Sequence, residues 1–213
     1  MDLCRKGKMR EFVELEAKRN RGWPWPEKSF GMDPMFGAEG WCHACGIPQG
    51  PQTGSLTLQR RNLTPVGAWM PYWNYDALCV DAGLAETLRD RFTLDLRPVA
   101  WPATPAGDAW QIVIPTVGQS WYDPDDLRRQ TLARHRRTGA RCPVCGTWKW
   151  LPLASELLPP LHITPPLADV DIAASPEWFG DSLSYFRKIL VRRQLAEIIA
   201  AASPKDFLIR EVT

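Results

Sequence analysis

Cys42-His43-Ala44-Cys45-Gly46 and Cys142-Pro143-Val144-Cys145-Gly146 decide how the rest of the chain is read. Each is a Cys-x-x-Cys-Gly knuckle. Two intervening residues let both sulfurs point at one ion, and two such knuckles supply the four soft ligands of a tetrahedral zinc site. The glycine after each second cysteine suits a tight turn that can need φ > 0. A compact zinc ribbon separates its knuckles by about 15–20 residues, whereas 96 residues lie between Cys45 and Cys142. The entropy of closing so long a loop grows only logarithmically, and structural zinc contributes about 10–16 kcal/mol in small peptides. A zinc ion held by Cys42, Cys45, Cys142 and Cys145 would therefore clip two distant parts of the chain together.

Competing readings of the cysteines are weaker. Disulfides need an oxidising compartment. A thioredoxin-like redox pair opens a helix after a strand, which neither knuckle does. A catalytic zinc keeps an open position, and four thiolates leave none. His43 reads as a residue facing solvent or supporting the ligands. Cys4 and Cys79 have no partner spacing, and Cys79 reads as a small hydrophobe on a helix.

Outward from the knuckles, the 213 residues suffice for a real core, and 45% hydrophobic with 23% charged residues is an ordinary globular composition. A net charge of +2 offers no electrostatic reason to expect a dedicated nucleic-acid binder. Twenty prolines and eleven tryptophans favour ordered extended connections over long helices, with the tryptophans as packing residues. The charged start, Met1 to Lys6, lacks the apolar core of a signal peptide, and no apolar run approaches the ~20 residues that span a bilayer. A cytoplasmic, membrane-free protein is expected.

Local pattern gives an α+β fold in one compact domain. Residues 1–22 form an N-terminal arm or short first element. Residues 23–213 form the zinc-clipped domain, with a large insertion, 47–138, between the knuckles. Helices are expected from Asp76 to Phe92, from the Asp123-Pro124 cap to about Arg137, and from a Ser182 cap to about Ala202. Strands are expected at Ser55–Leu58, Thr93–Val99, Gln111–Pro115 and Phe207–Val212. Apart from the knuckles no internal repeat is evident.

Motifs for catalysis are missing. The chain has no nucleophile elbow, phosphate-binding glycine loop, dinucleotide fingerprint or His-Glu-x-x-His pair, and His43, His135 and His162 stand far apart. A non-enzymatic role is expected. Arg128 to Arg141 is a candidate phosphate-binding patch that also reads as a solvated helix face. Asp169, Asp171, Glu177 and Asp181 around Trp178 form a candidate partner-binding loop, an acidic surface with an aromatic anchor, although solvated loop acids look the same.

The doubled Cys-x-x-Cys-Gly, the wide spacing, the Pro-rich stretch after the second knuckle, Trp178-Phe179-Gly180 and the closing segment Phe207 to Val212 together carry a resemblance. The chain resembles the double-CXXCG-motif proteins, first noticed as myxobacterial paralogues. The likeness is clearest in the first knuckle and from Gly139 onward. It implies metal binding at Cys42, Cys45, Gly46, Cys142, Cys145 and Gly146. Some members of that family are cytoplasmic immunity proteins made beside a polymorphic toxin. The resemblance thus implies a protein that neutralises a cognate toxin by tight binding, a nuclease being the natural target if the acidic loop makes the contact. A zinc-ribbon nucleic-acid binder using Arg128 to Arg141 is the alternative.

Overall fold

A computed structural model describes residues 11–19, 21–60, 62–72, 76–102, 105–163, 167 and 169–212. Cys4 and half of the N-terminal arm, residues 1–10 and 20, fall outside them. Thirteen strands are described: β1 (Phe12–Ala17), β2 (Trp25–Pro26), β3 (Leu58–Gln59), β4 (Ala68–Trp69), β5 (Leu78–Asp81), β6 (Asp95–Pro98), β7 (Ala109–Val113), β8 (Gly139–Arg141), β9 (Trp148–Trp150), β10 (Ile172–Ala174), β11 (Trp178–Phe179), β12 (Ile189–Arg192) and β13 (Phe207–Glu211). The α-helices are α1 (Met32–Phe36), α2 (Ala82–Arg89), α3 (Pro124–His135) and α4 (Arg193–Ala202). Helices and several antiparallel sheets are what the α+β expectation requires.

Two four-stranded antiparallel sheets, β4-β5-β7-β6 and β10-β12-β1-β13, form the framework. They have the same topology. Each starts with a short edge strand (β4, β10). It continues with a strand that passes without a turn into a helix (β5-α2, β12-α4), and places the strand after the helix at the far edge (β6, β13). The remaining central place, third in the order, belongs to β7 in the first unit. In the second it belongs to β1, which comes from the other end of the chain. Registers agree residue by residue. Val80 faces Trp110 and Val191 faces Val13, while Cys79 faces Gln111 and Leu190 faces Glu14. Arg97 faces Gln111 and Arg210 faces Glu14. The run Val80-x-x-x-Leu84-Ala85-Glu86 thus recurs as Val191-x-x-x-Leu195-Ala196-Glu197. This is an internal repeat that pattern reading overlooked, with the second copy circularly permuted.

Alternation along each strand sends one row of side chains inward and one outward. The inward rows and both helices build one shared core: Val13, Leu15, Leu78, Val80, Ala85, Leu88, Ile112, Ile189, Val191, Leu195, Ala196 and Ile199 are all buried in it. The outer face of the first sheet packs under Met32, Met35, Ile47, Trp69, Cys79 and the knuckle cysteines. The outer face of the second packs under Trp121, Tyr122, Leu127, Leu153 and Phe179.

Two helix expectations need correction. Ala77 to Val80 is almost wholly buried and forms a central strand, so the helix starts only after Asp81, whose carboxylate accepts from the Leu84 N–H at 2.8 Å. Cys79 therefore lies on a strand. Likewise Ile189 to Arg192 is β12, and α4 starts at Arg193. Ser182, at φ 50°, caps no helix. In both places apolar residues at helical spacing masked a short buried strand that joins its helix directly. The α3 start is as expected: Asp123 accepts from the N–H groups of Asp125 and Asp126, with Pro124 in the first turn.

Candidate metal centre

Each knuckle is the tip of a hairpin, and the two tips share two backbone hydrogen bonds. The Cys42 N–H donates to Ile47 O (2.9 Å) and the Gly46 N–H to Cys42 O (2.7 Å). One hundred residues later, the Cys142 N–H donates to Thr147 O (2.9 Å) and the Gly146 N–H to Cys142 O (2.9 Å). Gly46 (φ 82°) and Gly146 (φ 76°) occupy the left-handed region that the turn demands. Gly46 is further constrained: a Cβ there would meet the Leu183 carbonyl oxygen at 2.7 Å and the Tyr185 ring at 2.9 Å, whereas Gly146 faces open space.

The hairpin tips face each other. Cys42 Sγ lies 3.8 Å from Cys142 Sγ, and Cys45 Sγ 3.6 Å from Cys145 Sγ. All four sulfurs fall within 4.8 Å of one another. A tetrahedron of sulfurs at about 2.3 Å from a central ion has edges of about 3.8 Å, so the four thiols are spaced to hold one metal ion. Among the described residues no other group of three or more His, Cys, Asp or Glu side chains is so disposed. His43 is no member: its Nε2 lies 2.7 Å from the Ala38 carbonyl oxygen, and its ring packs on Trp41.

The surroundings treat the sulfurs unequally. Burial pushes the Cys45 thiol up. Burial also opposes ionisation of Cys145, but the Thr147 hydroxyl at 3.3 Å, the Thr147 N–H and the neighbouring sulfurs bring it down to about 6. The N–H groups of Cys145 and Val144 lower Cys142. The second knuckle's tip residue Val144 is exposed. Cys79 is fully buried, and burial alone raises its thiol.

The four acidic residues of the candidate partner loop differ in exposure and in their partners. Asp171 accepts from Arg192 (2.7 Å) and from the Thr93 N–H (2.8 Å). Glu177 accepts from the Trp121 N–H (2.8 Å) and the Ser120 hydroxyl (3.1 Å), holding the loop before α3. Trp178 is half-buried in β11 beneath the Arg187 guanidinium. Asp181 is exposed and pairs with Arg137 at 3.3 Å; Asp169 is exposed and has no polar partner among the described residues. In the basic segment, Arg128 and Arg129 pair with Asp125 and Asp126, while Arg134 and Arg136 are exposed and have no side-chain partner among the described residues.

Two surface hollows, of 450 and 470 Å³, lie over equivalent places on the two outer faces, one lined by Glu14 and Arg210, the other by Gln111 and Arg97. In the first, Lys188 donates to Glu14 (2.8 Å) and to the Ser155 hydroxyl (3.0 Å), and Ser155 donates to Glu14 (3.1 Å). Every polar group of that ring is used within the fold.

Sequence reasoning passed over Lys149, which is 7% exposed and donates to the carbonyl oxygens of Cys45 (3.2 Å), Ser182 and Ser184 (3.3 Å). Its place between Trp148 and Trp150, immediately after the second knuckle, was the only available signal. No protein-family model matches the chain, and no curated protein shows significant similarity to it. Among the described residues no helix is long and apolar enough to cross a membrane.

Proposed function

We propose that the chain is a zinc-clipped binding protein, without catalysis of its own, that neutralises a cognate bacterial toxin in the cytoplasm by tight protein–protein contact. The observation that carries the zinc reading is the cluster of four sulfurs from the two knuckles. Zinc suits it because thiolate is a favoured ligand of this borderline-soft ion and four-coordinate tetrahedral geometry is its structural habit. Four thiolates saturate the ion, which leaves it a structural task. The toxin reading is supported by the doubled Cys-x-x-Cys-Gly shared with the family whose members include immunity proteins. Occlusion of the toxin's active site or of an essential surface is sufficient for that role. Within the candidate loop, Asp169 and Asp181 are the exposed acids that would face a basic partner such as a nuclease.

Two measurements test this. Purified protein should carry one zinc per chain by elemental analysis. Expression of the adjacent gene's product, or its C-terminal domain, in a sensitive host should kill, and co-expression of this chain should relieve killing and yield a co-purifying complex. A harmless neighbour and no complex would overturn the toxin reading and leave the zinc reading standing. The unpaired Arg134 and Arg136, close in sequence to the second knuckle, favour nucleic-acid binding as a second reading. That reading predicts affinity for mixed DNA or RNA falling steeply with salt.

A further inference from the structure

Two lysines are buried among the described residues, and they are neutralised differently. Lys188 has a carboxylate, Glu14, at 2.8 Å. Lys149 has none: among the described residues no carboxylate oxygen lies within ion-pair distance, and its ammonium is surrounded by the carbonyl oxygens of Cys45, Ser182 and Ser184. Carbonyl groups satisfy its three N–H donors, but they bring no net charge. An ammonium taken out of water without a counter-charge is expensive. What lies beside it is the metal centre. Lys149 sits four residues after Cys145 and donates to the backbone of Cys45, and a divalent ion with four thiolates carries two net negative charges.

We infer that the Lys149 ammonium is the counter-charge of the metal–thiolate centre. It acts as a positioning residue that joins the first knuckle to the 182–184 loop and lowers the cost of concentrating four thiolates. The inference rests on the zinc reading above. It explains why, of the two buried lysines, the one without a carboxylate lies at this place: with metal bound, both the cation and the anionic centre are compensated. Groups around a metal's ligands typically contribute 10–100-fold to metal affinity.

The test compares Lys149→Gln, which keeps polar contact with the carbonyls but removes the charge, with Lys149→Arg, which keeps the charge. Zinc affinity is measured in the full chain by competition with a chromophoric chelator. The expected result is a loss of about 10–100-fold for Lys149→Gln and near wild-type affinity for Lys149→Arg. In cobalt-substituted protein the sulfur-to-metal charge-transfer band should move to the red in Lys149→Gln alone, because removing a nearby cation raises the energy of the thiolate electrons. A simple backbone tether would not move that band. Equal affinity and an unshifted band in Lys149→Gln would overturn the inference, as would an equal loss in both variants. If Lys149→Gln does not fold with zinc, Lys149→Arg decides. Affinity within about threefold of wild type upholds the counter-charge, and a loss of 10-fold or more overturns it. Wild-type protein that binds no zinc would instead defeat the zinc reading itself.

Discussion

The two units share strand order, register and the Leu-Ala-Glu of their helices, yet their outer faces are filled by different means. Over the second sheet, Trp121, Tyr122, Leu127 and Phe179 make an ordinary aromatic and aliphatic layer. Over the first, the layer is made of Met32, Met35, Ile47 and three of the four knuckle cysteines. At equivalent positions Gln111 replaces Glu14 and Cys79 replaces Leu190. The inner rows, which meet in one core, are alike in character: Val80 with Val191, Ala85 with Ala196, Leu88 with Ile199. Inward positions are constrained by mutual packing at near-crystalline density. Outward positions had only to be covered, and a metal can cover a face that too few apolar residues reach.

Removing the metal should separate the two solutions most sharply. Chelation is expected to cost the first unit's outer layer its clip, a term of about 10–16 kcal/mol in small zinc peptides. Amide exchange should then accelerate through Met32–Ile47 and the hairpin at Gly139–Trp150, while β10 and β12 stay protected. Simultaneous loss of protection in both units would mean that the shared core, not the outer layers, sets cooperativity, and the contrast would fail.

A smaller effect is expected at the seam between the units. Asp206, whose side chain is 4% exposed, accepts from Arg19 (2.6 Å) and Arg21 (2.7 Å), and Arg21 also donates to the Val66 and Ala68 carbonyl oxygens. Burial alone would raise this carboxyl, but the two guanidinium groups hold it below the usual range. Its contribution is therefore present above the unfolded value of about 3.9 and is lost as pH falls through the lower folded value. Asp206→Asn should cost about 3 kcal/mol at neutral pH by denaturant melts, and should remove part of the acid dependence below pH 4. Unchanged acid dependence would show that the seam is held by the Ala68 N–H to Ser203 hydroxyl bond and apolar packing instead.

The smallest expected difference lies between two residues that sequence pattern treats as the same. Gly146→Ala should cost about 1–2 kcal/mol, from φ > 0 alone. Gly46→Ala should cost about 1–3 kcal/mol more, because its Cβ meets the Leu183 carbonyl and the Tyr185 ring. Equal melting temperatures would indicate that the 183–185 segment moves freely away from the first knuckle.

These comparisons also show how far the chain could be read in advance. The cysteine cluster was legible because a Cys-x-x-Cys-Gly turn is a local rule, and the second copy states it again. The α3 start was legible for the same reason, since Asp123 and Pro124 act within one turn. The strands β5 and β12 were not. Buried on both faces, Leu78-Cys79-Val80 and Ile189-Leu190-Val191 lack the alternation that marks a half-buried strand, and each runs into its helix with no turn residue between. Their assignment depends on neighbours, β7 and β1, that lie far away in sequence. Lys149 was hidden in the same way: its carbonyl partners at Cys45, Ser182 and Ser184 become neighbours only once the hairpins have met. The partners of Asp171 and Glu177, among them Arg192, Ser120 and Trp121, are equally remote in sequence.

The permuted position of β1 has a consequence for synthesis. β7 emerges from the ribosome after all its partners, so the first sheet can close at once. β1 emerges first, and both of its neighbours, β12 and β13, come almost last. At about 5–20 residues per second, a strand rich in Phe12, Val13 and Leu15 stays without its sheet for roughly 10–40 s. During that wait it is open to chaperones or to the wrong edge.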